Sequence, residues 1–233
     1  MSGDIAKFNA AQAALDYVKD GMIVGLGTGS TSAHFVRQLG ERVRQGLRVK
    51  GVPTSEATRN LAEQVGVPLL EISQITSIDI DVDGADEVDH QFRLIKGGGG
   101  ALLREKIVAA ASKMMVVIAD ETKWVETLGD FPLPVEVTRF GFALTQERVV
   151  QALRATGCAG DEVVLRVSGK ANEPVITDGG NYILDAHAKR IPDPAKLGAA
   201  LKDIAGVVEH GLFIGLSQVV IIGKAKGADV KTL

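Results

Sequence analysis

The feature that most constrains the fold is the regular alternation of strand-type and helix-type segments in the first half of the chain. Short apolar runs typical of buried strands alternate with segments such as that around Phe35, Val36 and Leu39, where apolar residues recur at helical spacing. The predicted strands are 22–24, 47–52, 78–82 and 114–119, and the predicted helices are 30–39, 55–64 and 101–113. This alternation predicts a parallel sheet that is covered by helices.

From about Pro132 the pattern changes to strands that cluster around two helices. Strands are predicted at 134–138, 163–167, 175–177, 182–184 and 207–214, with helices at 145–156 and from Asp193-Pro194 to about 204. The turn signal Asp178–Asn181 predicts a hairpin between 175–177 and 182–184. This order, βαββαβ, matches a small ferredoxin-like unit. A last strand at 219–222 is expected to return to the first sheet.

The predicted fold class is therefore α/β, a parallel-sheet Rossmann-like domain with an inserted, smaller ferredoxin-like α+β domain. We expect the Rossmann-like domain to comprise residues 1–130 and 215–233, and the smaller domain residues 131–214. The net charge is −3 and the basic residues are scattered, which argues against binding to nucleic acid or to an anionic membrane surface. A single cysteine, Cys158, excludes an internal disulfide.

The chain also lacks the features of an exported or membrane protein. Its N-terminal residues have no apolar stretch of the kind that signal peptides contain. The longest purely apolar run, Met114 to Ala119, is too short to span a bilayer. We therefore expect a cytoplasmic protein.

Three polar loops follow predicted strands, at 25–31, 83–86 and 120–123. Ligands bind beyond the carboxyl ends of the strands in parallel sheets, so we expect these loops to lie at one edge. The first, GLGTGST, offers backbone N–H groups and a helix N-terminus to an anion, and Ser30 and Thr31 add hydroxyl groups. It lacks the third glycine of a dinucleotide site and the lysine of a P-loop, so a monophosphate fits better. A tight turn that binds no ligand is the alternative.

The run that starts at Asp79, DIDVDG, is similar to the beginning of an EF-hand calcium loop. Its twelfth position is His90 instead of the required glutamate, which excludes an EF-hand. Asp79, Asp81 and Asp83 would share one face of a strand, so the motif alone leaves a magnesium site open. In the opposing interpretation, Asp83 and Asp86 lie on a turn and bond to substrate hydroxyls, while the other two acids are structural.

Lys96 opens a run of four glycines, 97–100, shortly before Glu105. Glycine loses the most conformational freedom on folding, so such a run is expected where backbone approaches another group closely. Glu105 has Ala101 and Ala109 at helical spacing on either side, which leaves a narrow helix face. A carboxylate and a lysine around this loop suggest proton transfer beside developing negative charge. A solvated helix glutamate and an exposed lysine are the alternatives.

These motifs together resemble the ribose-5-phosphate isomerase A family, over nearly the whole chain. The matching blocks are GLGTGST (25–31), DVDGADEVD (81–89), LIKGGGGALLREKI (94–107), ADETK (119–123) and LPVEV (133–137). The resemblance implies an aldose–ketose isomerase of the non-oxidative pentose phosphate pathway, which interconverts D-ribose 5-phosphate and D-ribulose 5-phosphate through an enediolate. It also implies no metal, no cofactor, and assembly as a homodimer or homotetramer.

The resemblance further implies the role of individual residues. Glu105 would be the base that moves a proton between C1 and C2, and Lys96, Asp83 and Asp86 would be the other catalytic groups. Contacts to phosphate and substrate are implied for Lys7, Thr28, Gly29, Ser30, Thr31, Gly84, Ala85, Gly97, Gly98, Gly99 and Lys123. For this chemistry Glu105 is expected to be partly buried. Rival hypotheses are a sugar-phosphate deaminase, a CoA transferase, and a sugar-phosphate sensor without activity.

Overall fold

Strand and helix alternate from the amino terminus in a computed structural model of the chain, which describes residues 2–169 and 172–233. The helices are α1 Ser2–Ala14, α2 Ser30–Arg44, α3 Glu56–Gln64, α4 Leu102–Ala111, α5 Phe142–Ala155 and α6 Pro194–Lys202. The strands are β1 Ile23–Leu26, β2 Lys50–Pro53, β3 Ile80–Gly84, β4 Glu87–Val88, β5 Leu94–Ile95, β6 Met115–Asp120, β7 Leu133–Val137, β8 Glu162–Leu165, β9 Val167–Ser168, β10 Glu173–Pro174, β11 Tyr182–His187, β12 Val207–His210, β13 Leu212–Phe213, β14 Val219–Gly223 and β15 Ala228–Thr232.

The chain forms two units. The first contains the residues up to Ala85, Arg104–Trp124 and Gly215–Leu233, and the second contains Asp86–Leu103 and Val125–Ile214. The second unit thus includes residues 86–103 and 125–130, which we had expected in the Rossmann-like domain. For residues 86–103 the reason is strand pairing, because β5 lies between β4 and β13 in a small antiparallel sheet.

The first unit is built on a six-stranded sheet in the order β15-β14-β6-β3-β1-β2. All neighbouring strands are parallel except the edge strand β15, which pairs antiparallel with β14. The predicted return of the chain to this sheet at 219–222 is confirmed by β14. One face packs against α1 and α2, where Val24, Val82 and Ile118 lie in the main core with Phe35. On the other face, Val108 of α4 packs with a smaller buried cluster.

The second unit contains a four-stranded antiparallel sheet in the order β12-β7-β11-β8. With α5 after β7 and α6 after β11, this is the ferredoxin-like βαββαβ arrangement that the sequence predicts. Leu153 of α5 and Leu197 of α6 lie in one buried core with Leu184 of β11. Asp193 caps α6, because its side chain accepts the backbone N–H of Lys196 at 3.0 Å.

Two predictions for this unit were wrong. Residues 175–177 form no strand, because the Thr177 N–H bonds to the Asn181 carbonyl in a tight turn that also holds the buried Glu136 carboxylate. The predicted strand 207–214 is divided at Gly211, so that β12 and β13 belong to different sheets. No helix among the described residues has the length and apolar character needed to cross a membrane.

Candidate active site

Three strand ends of the first unit carry residues that the sequence singled out. Strands β1, β3 and β6 are parallel neighbours, so the segments that follow them lie at one edge of the sheet, as expected. These segments are the loop to Thr31, the chain at Gly84 and Ala85, and the short 3₁₀ helix Glu121–Lys123. Lys123 is partly exposed there.

Two glycines make room for two buried aspartates. Gly25 lies within β1 directly beside Asp81 of β3, and not in the loop where the sequence analysis had put it. A Cβ atom at Gly25 would come within 2.6 Å of Asp81 Oδ1, and one at Gly27 within 2.0 Å of Asp83 Oδ1. These glycines are therefore required by the neighbouring carboxylates, in addition to any contact with a ligand.

Asp83 holds the start of the glycine loop in place. Its Oδ1 accepts the backbone N–H of Thr28 at 3.1 Å, the Ser32 hydroxyl at 3.2 Å and the Gly84 N–H at 2.7 Å. The residue is fully buried and lies in β3, which continues to Gly84 because it pairs with β6. The prediction that Asp83 lies on a turn was therefore wrong.

The glycine loop leads into α2. The first backbone N–H groups of this helix lie at the sheet edge. Gly29 precedes the helix with a φ of +121°, a backbone conformation that side chains disfavour. Lys7 of α1 reaches this loop, because its Nζ donates to the Ser30 hydroxyl at 2.9 Å. The loop thus combines a helix N-terminus, hydroxyl groups and an ammonium group, which is the chemistry of an anion site.

A cluster of hydroxyl groups that the sequence analysis missed fixes Thr28. Its Oγ1 lies 2.7 Å from Thr54 Oγ1, 2.8 Å from Ser55 Oγ and 3.2 Å from Thr58 Oγ1. Ser55 caps α3 by accepting the Thr58 N–H at 3.1 Å. The available signal was the pair Thr54-Ser55 directly after β2, at the same sheet edge.

Glu105 lies in the first turn of α4, and its burial removes the interpretation as a solvated helix glutamate. The residue is 3% exposed, and Val108 and Ala109 on the same helix are also buried. The preceding Arg104 pairs with Glu56 at 2.7 Å. Glu105 is therefore buried more deeply than the partial burial that was expected. A carboxylate that is removed from water in this way can act as a general base toward a carbon-bound proton.

Of the two other acids of the DIDVDG run, Asp79 directly precedes β3 and Asp81 lies within that strand. Asp79 accepts the backbone N–H of Ile23 at 2.9 Å and the Lys113 ammonium at 2.7 Å, which matches the expected structural role. The hydrogen bond from Lys113, followed by that from Ile23, lowers the pKa of the Asp79 carboxyl. Asp81 is fully buried. Within residues 2–169 and 172–233, no group of three or more histidine, cysteine or acidic side chains is arranged to hold a metal ion.

In the second unit, Lys96 is buried directly after β5. The residue is 2% exposed, and its Nζ lies 5.5 Å from the centroid of the Phe213 ring. The backbone N–H of Lys96 donates to the Gly211 carbonyl at 2.9 Å. A Cβ at Gly211 would come within 2.2 Å of the Lys96 carbonyl oxygen, so glycine is required at the point where β12 and β13 divide. The alternative of an exposed lysine is excluded.

Asp86 and the four-glycine run contact each other within the second unit. Asp86 Oδ2 accepts the backbone N–H of Gly98 at 2.7 Å, and the backbone N–H of Asp86 donates to the Ile95 carbonyl at 2.8 Å. Gly97 and Gly100 have φ values of +103° and +82°. A Cβ at Gly98 would lie 2.6 Å from Asp86 Oδ1. The expected close backbone approach is therefore, in part, an approach to Asp86.

Comparison with known proteins places the chain among sugar-phosphate isomerases. The family model described as ribose 5-phosphate isomerase A (phosphoriboisomerase A) matches residues 50–227. The ribose-5-phosphate isomerase A of Maricaulis maris is 56% identical over 224 residues, which covers 96% of both chains. That of Afipia carboxidovorans is 57% identical over 230 residues, covering 99% of this chain and 97% of the relative.

Solved structures give the same result. The ribose 5-phosphate isomerase of Plasmodium falciparum superimposes with a TM-score of 0.92 at 35% identity and 99% coverage of both chains. The enzyme of Methanocaldococcus jannaschii gives 0.88 at 41% identity and 98% coverage of both. A further D-ribose-5-phosphate isomerase, solved with phospho-erythronic acid, gives 0.91 at 37% identity and covers 100% of both chains.

Proposed function

The chain belongs to the ribose 5-phosphate isomerase A family and interconverts ribose 5-phosphate and ribulose 5-phosphate, and we propose that Glu105 carries the proton between C1 and C2. The observation that carries this proposal is burial. Glu105 is 3% exposed and Lys96 is 2% exposed, whereas glutamate and lysine are rarely so deeply buried. Buried ionisable groups on loops and helix starts are typical of catalytic sites.

The proposed reaction proceeds on the open-chain sugar. Glu105 removes the C2 proton of the aldose, which gives an enediolate, and returns the proton to C1 to give the ketose. Lys96 stabilises the negative charge that develops on oxygen, because a buried ammonium group acts strongly in a poorly solvated environment. Ring opening and proton transfer at the sugar hydroxyls are assigned to Asp83 and Asp86.

Substrate binding is assigned to the glycine loops. Thr28, Gly29, Ser30 and Thr31 are proposed to line the phosphate site. Asp83 and the hydroxyl cluster fix Thr28 there, Gly29, Ser30 and Thr31 offer N–H and hydroxyl groups to the phosphate, and Lys7 and Lys123 add positive charge. Gly84, Ala85 and Gly97–Gly99 are proposed to contact the sugar. The relative solved with phospho-erythronic acid supports a site for an acid that bears a phosphate.

The test replaces Glu105 with a residue of the same shape that cannot accept the proton. We expect Glu105→Gln to lower kcat by roughly 10²–10⁴-fold with little change in KM, because general base catalysis contributes about this much. Exchange of the C2 proton with solvent should fall equally, since it reports the abstraction step itself. The exposed helix residue Glu63 gives the matched control, Glu63→Gln, with parental turnover expected. Turnover of Glu105→Gln within a few-fold of the parent would transfer the role of base to Asp83 or Asp86.

We also propose that the protein is cytoplasmic and works as a homodimer or homotetramer. A large apolar side chain, Phe140, is 96% exposed, and Leu144 on the following helix is 77% exposed. Such residues on one surface are typical of contacts between subunits. Sedimentation equilibrium would measure the assembly, and a monomer at micromolar concentration would contradict it.

A further inference from the structure

Arg166 lies on the side of the four-stranded sheet that faces away from its helices. Side chains alternate along a strand, and Val163, Leu184 and Ala186 lie in the core with α5 and α6. Arg166 directly follows β8, and its N–H bonds to the Ile183 carbonyl of β11 at 2.8 Å. Arg166 and Asp185 therefore form a diagonal pair on the opposite face.

The Arg166 guanidinium joins this sheet to the four-glycine run. Its Nε donates to Asp185 Oδ2 at 2.8 Å, and its Nη2 donates to Asp185 Oδ1. Its Nη1 donates to the carbonyl oxygens of Gly97 at 2.9 Å and Gly98 at 3.1 Å. The two side chains are only 15% and 18% exposed. One planar group thus binds a carboxylate at one end and two successive backbone carbonyls at the other.

We propose that Arg166, held by Asp185, is a positioning residue for the isomerisation. It fixes the backbone that directly follows Lys96, and the inference therefore rests on the proposed catalytic role of Lys96. A run of four glycines has many accessible conformations. In the folded unit this run is fixed from both sides, because Asp86 accepts the Gly98 N–H and Arg166 binds the carbonyls.

Geometry, rather than charge, is the contribution of Arg166. The carboxylate of Asp185 neutralises the guanidinium, which leaves little net charge to act on a substrate. A lysine at this position would keep the charge, but its single ammonium group cannot bind the carboxylate and both carbonyls in the same fork. The conservative replacement is therefore expected to fail.

The experiment compares three variants with a surface control. We expect Arg166→Met, Arg166→Lys and Asp185→Asn each to lower kcat by roughly 10-fold to 100-fold, the cost of a small misplacement of a catalytic group. KM for ribose 5-phosphate should change less, and hydrogen exchange at the amides of 97–100 should become faster. The control is Arg154→Met, which breaks the exposed ion pair with Asp161 and should leave kcat and exchange unchanged.

Each result decides the inference. Parental kcat in Arg166→Met, or recovery to within two-fold in Arg166→Lys, would overturn it. Urea unfolding distinguishes a local effect on kcat from a loss of global stability. Asp185→Asn preserves the side-chain volume, so it must lower kcat while the unfolding midpoint stays unchanged. Lys96→Met is measured in parallel. If that variant retains activity, the proposed function of Lys96 is wrong, whereas an inactive Lys96→Met beside a fully active Arg166→Met overturns only the positioning role.

Discussion

At the scale of single residues, Gly27 and Asp83 depend on each other. We expect Gly27→Ala to lower the free energy of unfolding by about 1–3 kcal/mol, the usual cost of overpacking. The added Cβ would lie 2.0 Å from Asp83 Oδ1 and 2.6 Å from Asp83 Cα, and the backbone atom cannot move aside cheaply. Urea unfolding measures the effect. Gly3→Ala is the control, because a Cβ there meets nothing within 4 Å, and equal unfolding midpoints for the two variants would contradict the prediction.

Lys123 tests the proposed phosphate site at the same scale. Lys123→Ala should raise KM for ribose 5-phosphate and change kcat less, because a phosphate contact distant from the reacting carbons acts equally in ground state and transition state. Steady-state kinetics gives both constants. Lys19→Ala, at an exposed lysine elsewhere in the first unit, should leave both unchanged. An unchanged KM in Lys123→Ala would remove this residue from the site.

The sequence predicted which residues to examine, but it could not predict what many of them contact. The bonds from Thr28 and Ser32 to Asp83 join residues that are more than 50 positions apart. They depend on the register of β1 against β3, which short motifs do not encode. The narrow helix face around Glu105 could be predicted, because Ala101 and Ala109 are local in sequence, but the depth of its burial could not.

At the scale of elements, Asp79 links β1 to β3. It directly precedes β3, and its carboxylate accepts the backbone N–H of Ile23, the first residue of β1. Asp79→Asn should lower the free energy of unfolding by about 1 kcal/mol at pH 7. The variant loses a hydrogen bond between charged groups, whose contribution is reduced because the pair is partly exposed to solvent. The folded-state pKa of Asp79 is lowered, chiefly by Lys113. The stabilisation is therefore present above the unfolded pKa of about 3.9 and is lost as the pH falls through the folded value.

Urea unfolding at pH 7 and pH 3 tests this dependence. The difference between the parent and Asp79→Asn should be smaller at pH 3. Asp16→Asn, which changes an exposed aspartate of the first unit, should show little difference at either pH. A constant difference for Asp79→Asn at both pH values would show that the carboxylate charge is not the cause.

Long elements with a clear period were predictable, and short ones were not. The predicted helix at 55–64 is α3 with Ser55 as its cap, whereas β4 and β5 have two residues each and cannot show a period. Helix α1 was missed because its buried residues are mainly small alanines, which leave no marked apolar stripe. The strand 175–177 was predicted because a turn signal follows it. In the structure the side chains of Thr177 and Asn181, at the two ends of this turn, donate hydrogen bonds to the Glu136 carboxylate.

At the scale of the whole molecule, activity should survive the removal of divalent metal ions. Both oxygens of Asp79 are occupied by Ile23 and Lys113, and Oδ1 of Asp83 accepts three hydrogen bonds. In the proposed mechanism the buried Lys96 supplies the positive charge for the oxyanion, so that none is needed from a metal ion. Turnover after dialysis against EDTA should equal that with added magnesium. Loss of turnover in EDTA that magnesium restores would contradict this expectation.

The order of most long elements was predictable, because strand and helix periods and the cap at Asp193 are local signals. The division into units was not fully predictable. Residues 86–103 belong to the second unit because Leu94 and Ile95 pair with Leu212 and Phe213, more than 100 positions later. Pairing over such a separation leaves no local trace in the sequence.

The alternation along β11 has a practical consequence for engineering. Leu184 and Ala186 face the helices, whereas Ile183 and Asp185 face the four-glycine run. A designer who repacks the helix side for thermal tolerance alters every second position of this strand and leaves the others unchanged. The strand can therefore be redesigned in two sets of positions, one that packs against the helices and one that lies beside Arg166 and Gly100.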